Sequence, residues 1–141
     1  MNQQKYFLLG LCAFFLFSCQ GATKKGKLEE AVRSYLVSLE RRDSNRVIAY
    51  VSPEKQTMFF KNIDQIDAFH VARAEVQRIY PDKELMKALV TVDLEFFSPT
   101  SMEVIAQKRY FSWMYDKKRD DWFVEEGHPF GSQKPSLNIQ P

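Results

Sequence analysis

Met86-Lys87-Ala88-Leu89-Val90-Thr91-Val92-Asp93-Leu94-Glu95-Phe96 carries apolar side chains at every second position. Met86, Ala88, Val90, Val92, Leu94 and Phe96 form one face, opposite Lys87, Thr91, Asp93 and Glu95. A period of two is that of a strand buried on one side, and a slip of one residue would expose the whole apolar set, so the core face is fixed. Upstream, Ala72, Ala74 and Val76 alternate with Arg73, Glu75 and Gln77 and predict a preceding strand that ends at Pro81-Asp82. Downstream, Ser98 to Ser101 turns the chain into a third strand, and Asp116 to Asp121 turns it into a fourth, Trp122 to Glu126. The third strand changes phase: Met102, Val104 and Ala106 are even, whereas Phe111, Trp113 and Tyr115 are odd. A strict strand cannot bury both sets on one face, which predicts a β-bulge near Gln107 to Arg109 and a strongly bent sheet.

A sheet with one apolar face needs a covering layer, and the residues before it supply helices. Leu28, Ala31, Val32, Tyr35, Leu36 and Leu39 follow the spacing of one helical face. Asp43-Ser44-Asn45 has N-cap chemistry for a short second helix bearing Val47, Ile48 and Val51. Ser52-Pro53 starts a third toward Phe60, with proline at its first helical position. The fold class expected is α+β, with N-terminal helices packed on a curved antiparallel sheet of about four strands.

Helices first, long strands after, and a closing hairpin built from Tyr110-Phe111-Ser112-Trp113-Met114-Tyr115 and Trp122-Phe123-Val124-Glu125 resemble the NTF2-like superfamily over residues 28 to 127. The resemblance implies a bent sheet wrapped around the first helix, with a cone-shaped cavity between them. A cystatin-like roll is the competing architecture. Pocket-lining candidates are Tyr35, His70, Val90, Val92, Leu94 and Trp113. His70 shares parity with Ala72 and Ala74 and is the one titratable group expected to face inward there. A base and an oxyanion donor would be needed for isomerase- or cyclase-type chemistry, and Tyr35 with His70 is the pair available. His70 is a single candidate at the start of its strand and a site needs a constellation, so no catalytic residue is assigned. Trp113 and Trp122 are expected to pack as core across the final hairpin.

The first residues carry a different message. Lys5 precedes Tyr6 to Phe17, an apolar run of 12 residues, short of the roughly 20 that span a bilayer. It ends in Leu16-Phe17-Ser18-Cys19, which resembles the lipobox of bacterial lipoprotein precursors. The resemblance implies cleavage between Ser18 and Cys19 and lipid attachment at Cys19. Cys12 would leave with the signal, so the mature chain would hold one cysteine and no intrachain disulfide. The organisation expected is a signal peptide over 1–18, a flexible lipidated tether over 19–26, an NTF2-like domain over 27–130 and a mobile tail over 131–141.

Removing 18 of the 141 residues leaves 123, enough for one domain, and lowers the formal net charge from +2 to +1. That balance offers no grip on nucleic acid. His70 and His128 lack acidic or Cys company, so no metal or cofactor is expected. The charged turn around Lys117-Lys118-Arg119 reads as a solvated tip, and Asp43 as a cap. The function expected is a non-enzymatic accessory protein of the cell envelope, held on a membrane by its lipid anchor and binding a partner protein or a small apolar molecule. With Gln20 after Cys19, the outer membrane facing the periplasm is the expected site in a host with two membranes. The alternatives are an enzyme using Tyr35 and His70, and a spacer that forms a homodimer through its sheet.

Overall fold

The computed structural model describes residues 23–61, 63, 69–98, 100 and 102–126. The segment read as a signal peptide, Cys19, His128 and the stretch read as a tail lie outside the described residues. Three helices, α1 (Lys24–Glu40), α2 (Ser44–Ala49) and α3 (Pro53–Lys61), precede four strands, β1 (His70–Pro81), β2 (Lys87–Phe97), β3 (Val104–Asp116) and β4 (Asp121–Val124). The strands form one antiparallel sheet in chain order, β1-β2-β3-β4. The α+β class and all seven elements follow the sequence reading.

Helix α1 buries Leu28, Ala31, Val32, Tyr35, Leu36 and Leu39 as its spacing demands. It starts earlier than expected, at Lys24, so the tether read over 19–26 is shorter than the sequence suggested. Thr23 is the reason: its hydroxyl accepts the Gly26 N–H at 3.1 Å and caps the first turn. At the other end Arg42 takes φ 57°. The Arg42 N–H donates to Leu39 O and the Asp43 N–H to Ser38 O, the paired bonds of a Schellman stop. Asp43 then caps α2, its carboxylate accepting the Arg46 N–H at 3.1 Å.

Strand β2 buries Ala88, Val90, Val92, Leu94 and Phe96, as read. The phase problem in β3 resolves differently. From Lys87↔Met114 to Phe97↔Val104 the β2–β3 ladder runs without a slip, so there is no bulge at Gln107 to Arg109. The odd positions keep the core face throughout, and Met102 and Val104 stand 72% and 63% exposed. Exposing two apolar residues beside a turn costs less than breaking an eleven-rung ladder. The irregularities fall in β1, between Val71 and Arg73 and between Val76 and Arg78.

Both sheet edges are partly covered. At β4, the Ser52 N–H donates to Val124 O and the Val124 N–H to Tyr50 O, so the segment between α2 and α3 seals that side. At β1, Glu40 from the end of α1 accepts the Ala74 N–H at 2.8 Å.

Candidate functional site

Ring contacts seat Tyr35 of α1 against the centre of the sheet. Its centroid lies 5.7 Å from both Phe111 and Trp113, in edge-on geometry. Tyr35 and Trp113 are each 1% exposed. Val90 and Val92, neighbours of Phe111 and Arg109 across the ladder, are completely buried, as is Leu94 beside Gln107. Five of the six pocket-lining candidates therefore share the core side.

His70 does not. It pairs with Phe97, one step from the core pair Val71↔Phe96, and its ring lies 5.0 Å from Phe97 on the opposite face. The slip after Val71 reverses the parity on which the inward reading rested. Tyr35 and His70 thus stand on opposite sides of the sheet, and the pair expected for proton transfer is not assembled. Trp113 and Trp122 are both core, but each faces another residue: Trp113 pairs with Val124, while Trp122 pairs with Tyr115 at 5.4 Å between rings.

The unbroken register of β3 brings residues to the core side that the bulge would have turned out. Gln107 and Arg109 face it, and Arg109 is only 6% exposed. Burial lowers the Arg109 pKa from the ordinary arginine value. Glu126 joins them from just beyond β4, continuing the alternation Trp122, Val124. Its carboxylate accepts the Ser112 N–H through Oε1 at 2.9 Å and Oε2 at 3.0 Å. Desolvation raises its pKa although those bonds oppose the shift. Burial, with a smaller contribution from the Glu126 charge, pushes the Tyr35 phenol far above the tyrosine range, so it remains a donor at any physiological pH.

Three buried polar atoms on this side, Tyr35 Oη, Trp113 Nε1 and Gln107 Oε1, have no hydrogen-bond partner among the described residues. A buried donor or acceptor left unpaired costs about 1 to 3 kcal/mol. Such groups call for a partner, and a buried water is the simplest one. Two donors, one acceptor and a guanidinium lie along a wall that is otherwise aromatic and aliphatic. That arrangement suits an amphipathic molecule, with an apolar body and a head that both accepts and donates hydrogen bonds. The signal in the sequence was the odd-numbered alternation Ile105, Gln107, Arg109, Phe111, once the bulge is set aside.

Surface clefts have a different character. One of about 460 Å³ lies between the start of α3 and the final hairpin, with Met114 and Phe123 among its lining residues and Lys55, Asp116 and Arg119 also around it. Another, of about 280 Å³, is bordered by Lys27 and Asp120, which are salt-bridged to each other. Among the described residues no group of three or more His, Cys, Asp or Glu could hold a metal. No described helix is long and apolar enough to cross a membrane.

No family model matches this chain, and no curated protein matches it. Solved structures do. A SEC-C motif containing protein from Rhodopseudomonas palustris superposes with a TM-score of 0.56 at 12% identity, over 68% of this chain and 73% of that one. A second SEC-C motif containing protein, from Psychrobacter arcticus, superposes with a TM-score of 0.55 at 16% identity, over 83% of this chain and 67% of that one. At such identities the likeness is one of fold alone.

Proposed function

We propose that this chain is a lipid-anchored binding protein of the cell envelope, whose NTF2-like domain holds a small amphipathic molecule against the core side of β3. The observation that carries the binding half is the set of buried atoms with no partner among the described residues, Tyr35 Oη, Trp113 Nε1 and Gln107 Oε1. The NTF2-like reading draws support from the order of the elements and from α1 lying on the sheet's core face. The two irregularities in β1 are devices that bend a strand, and they support the curvature this reading needs.

The anchor half rests on Leu16-Phe17-Ser18-Cys19 at the end of a short apolar run. Acylation adds about 0.8 kcal/mol of membrane affinity per buried methylene, so a multiply acylated Cys19 holds a domain of this size stably. Metabolic labelling with a fatty acid should mark the wild-type chain and leave a Cys19→Ser variant unmarked; label persisting in the variant argues against the anchor. For the interior site, decanoate is a suitable probe, having an apolar tail and a carboxylate. It should change the tryptophan emission of the full chain saturably, and Tyr35→Phe should weaken its binding about tenfold through loss of one hydrogen bond. Emission that never saturates counts against the site.

One observation favours a second reading. Glu126, desolvated and electrostatically coupled to Tyr35, offers the carboxylate that His70 cannot supply. An enzyme built on this pair would lose turnover in Glu126→Gln while still binding decanoate.

A further inference from the structure

The anchor position and the folded domain together decide which end of the molecule meets the membrane. Three separate segments meet at one end: the first turn of α1, the β1–β2 turn and the β3–β4 turn. Trp122 Nε1 donates to Lys24 O at 2.8 Å, and Lys24 Nζ sits 4.6 Å from the Tyr115 ring centroid and 3.8 Å from the Met86 sulfur. Lys27 closes the group with an ion pair to Asp120, whose carboxylate also accepts the Tyr115 hydroxyl. Cys19 lies only four residues before the Thr23 cap, a span of at most about 14 Å of chain. Resting on the lipid-anchor reading above, this end is therefore the one held at the bilayer.

Its charge is not that of the rest of the domain. Residues 24–27, 82–87 and 116–121 contain eight basic and five acidic side chains, whereas residues 23–126 as a whole contain 18 of each. The excess of three comes from Lys24, Lys25 and Lys27, since 82–87 carries two of each sign and 116–121 three of each, and backbone hydrogen bonds draw several of the carboxylates back against the fold without removing their charge. Asp82 accepts the Met86 and Lys87 N–H groups, Asp116 the Lys118 N–H, and Asp121 the Trp122 N–H. Lys83, Lys87, Lys117 and Lys118 are exposed. We propose that this end is a headgroup-binding surface, in which the α1 N-terminal turn and the two neighbouring turns rest on anionic phospholipid. A basic side chain beside an anionic bilayer is attracted to it, and the attraction fades within a Debye length of about 10 Å, so the short link from Cys19 is what brings these lysines into range. The opposite end, with the β2–β3 turn and exposed Met102, is left facing away from the membrane.

The test uses the full, acylated chain in vesicles containing a quencher-labelled lipid, with a fluorophore on a cysteine introduced by Lys118→Cys or, at the far end, by Met102→Cys. In vesicles containing phosphatidylglycerol the probe at 118 should be quenched and the probe at 102 should not. That quenching should be lost in pure phosphatidylcholine and in a Lys83→Glu, Lys117→Glu variant. Equal quenching at both positions in a chain that floats with the vesicles overturns the proposed surface and leaves the anchor standing. A chain that does not float with the vesicles overturns both.

Discussion

Tyr35 is the residue at the centre of the proposed site. Its hydroxyl is buried and has no hydrogen-bond partner among the described residues, and a buried hydroxyl without one costs about 1 to 3 kcal/mol that phenylalanine would not incur. Tyr35→Phe should therefore raise the stability of the ligand-free chain by about 1 kcal/mol in urea denaturation; a loss of stability would mean that the hydroxyl is bonded. Glu126 gives a pH signature. Because burial raises its pKa above the unfolded value, its contribution to stability is full below the ordinary glutamate range and is lost as pH rises through the raised value. Glu126→Gln should then be more stable than wild type at neutral pH and show a flatter profile across that window. Asp120 has the opposite sign: Lys27 and Tyr115 hold its pKa down, so what it contributes is lost as pH falls. Its hydrogen bond is also the main reason the Tyr115 phenol is pushed up to about 12. At this scale Tyr35 and Trp113 were legible, because each lies on an apolar stripe. Gln107, Arg109 and Glu126 were not, since a polar residue at a core parity looks like a change of phase until the ladder is seen.

Strands β1 and β3 show how a local pattern can mislead about an element. In β3 the apolar residues Met102 and Val104 suggested a switch of face, but hydrogen bonding along β2 outweighs the burial of two side chains beside a turn. In β1 the alternation of Ala72, Ala74 and Val76 looked regular and is interrupted twice. Small and polar side chains on an edge strand specify register weakly, so the bulges left no mark in the composition. Helix α1 and strand β2 were readable from their continuous apolar stripes, except that the Thr23 cap starts α1 inside the stretch read as tether. Glu40 links the two halves by capping the Ala74 N–H on the edge. Glu40→Ala should cost about 1 kcal/mol and increase self-association, measured by denaturation and light scattering; an unchanged chain by both measures would show that the cap does not guard the edge. Met102 holds a left-handed backbone with φ 55° while 72% exposed. Met102→Gly should relieve that strain and raise stability by about 0.5 to 1 kcal/mol, read from the urea midpoint.

As a whole, the molecule has two ends and an interior with different chemistries. One end gathers the lysine-rich first turn of α1 and two turns that carry basic and acidic side chains in equal number; the other presents the β2–β3 turn. Between them α1 lies on a sheet whose core side carries an apolar wall and a short polar row. The proposed anchor at Cys19 would hold such a domain at a membrane, and the polar row is what the proposed ligand would meet. Element order made the architecture readable from sequence, whereas the interior row depends on a ladder register that no local pattern reveals. Non-denaturing mass spectrometry of the full chain, extracted gently from membranes, reads the occupancy of the interior site. The expected mass exceeds that of the acylated polypeptide by one small molecule, shed on activation and absent from a Tyr35→Phe, Gln107→Leu variant. A wild-type chain that flies at the mass of the acylated polypeptide alone would contradict binding at that site.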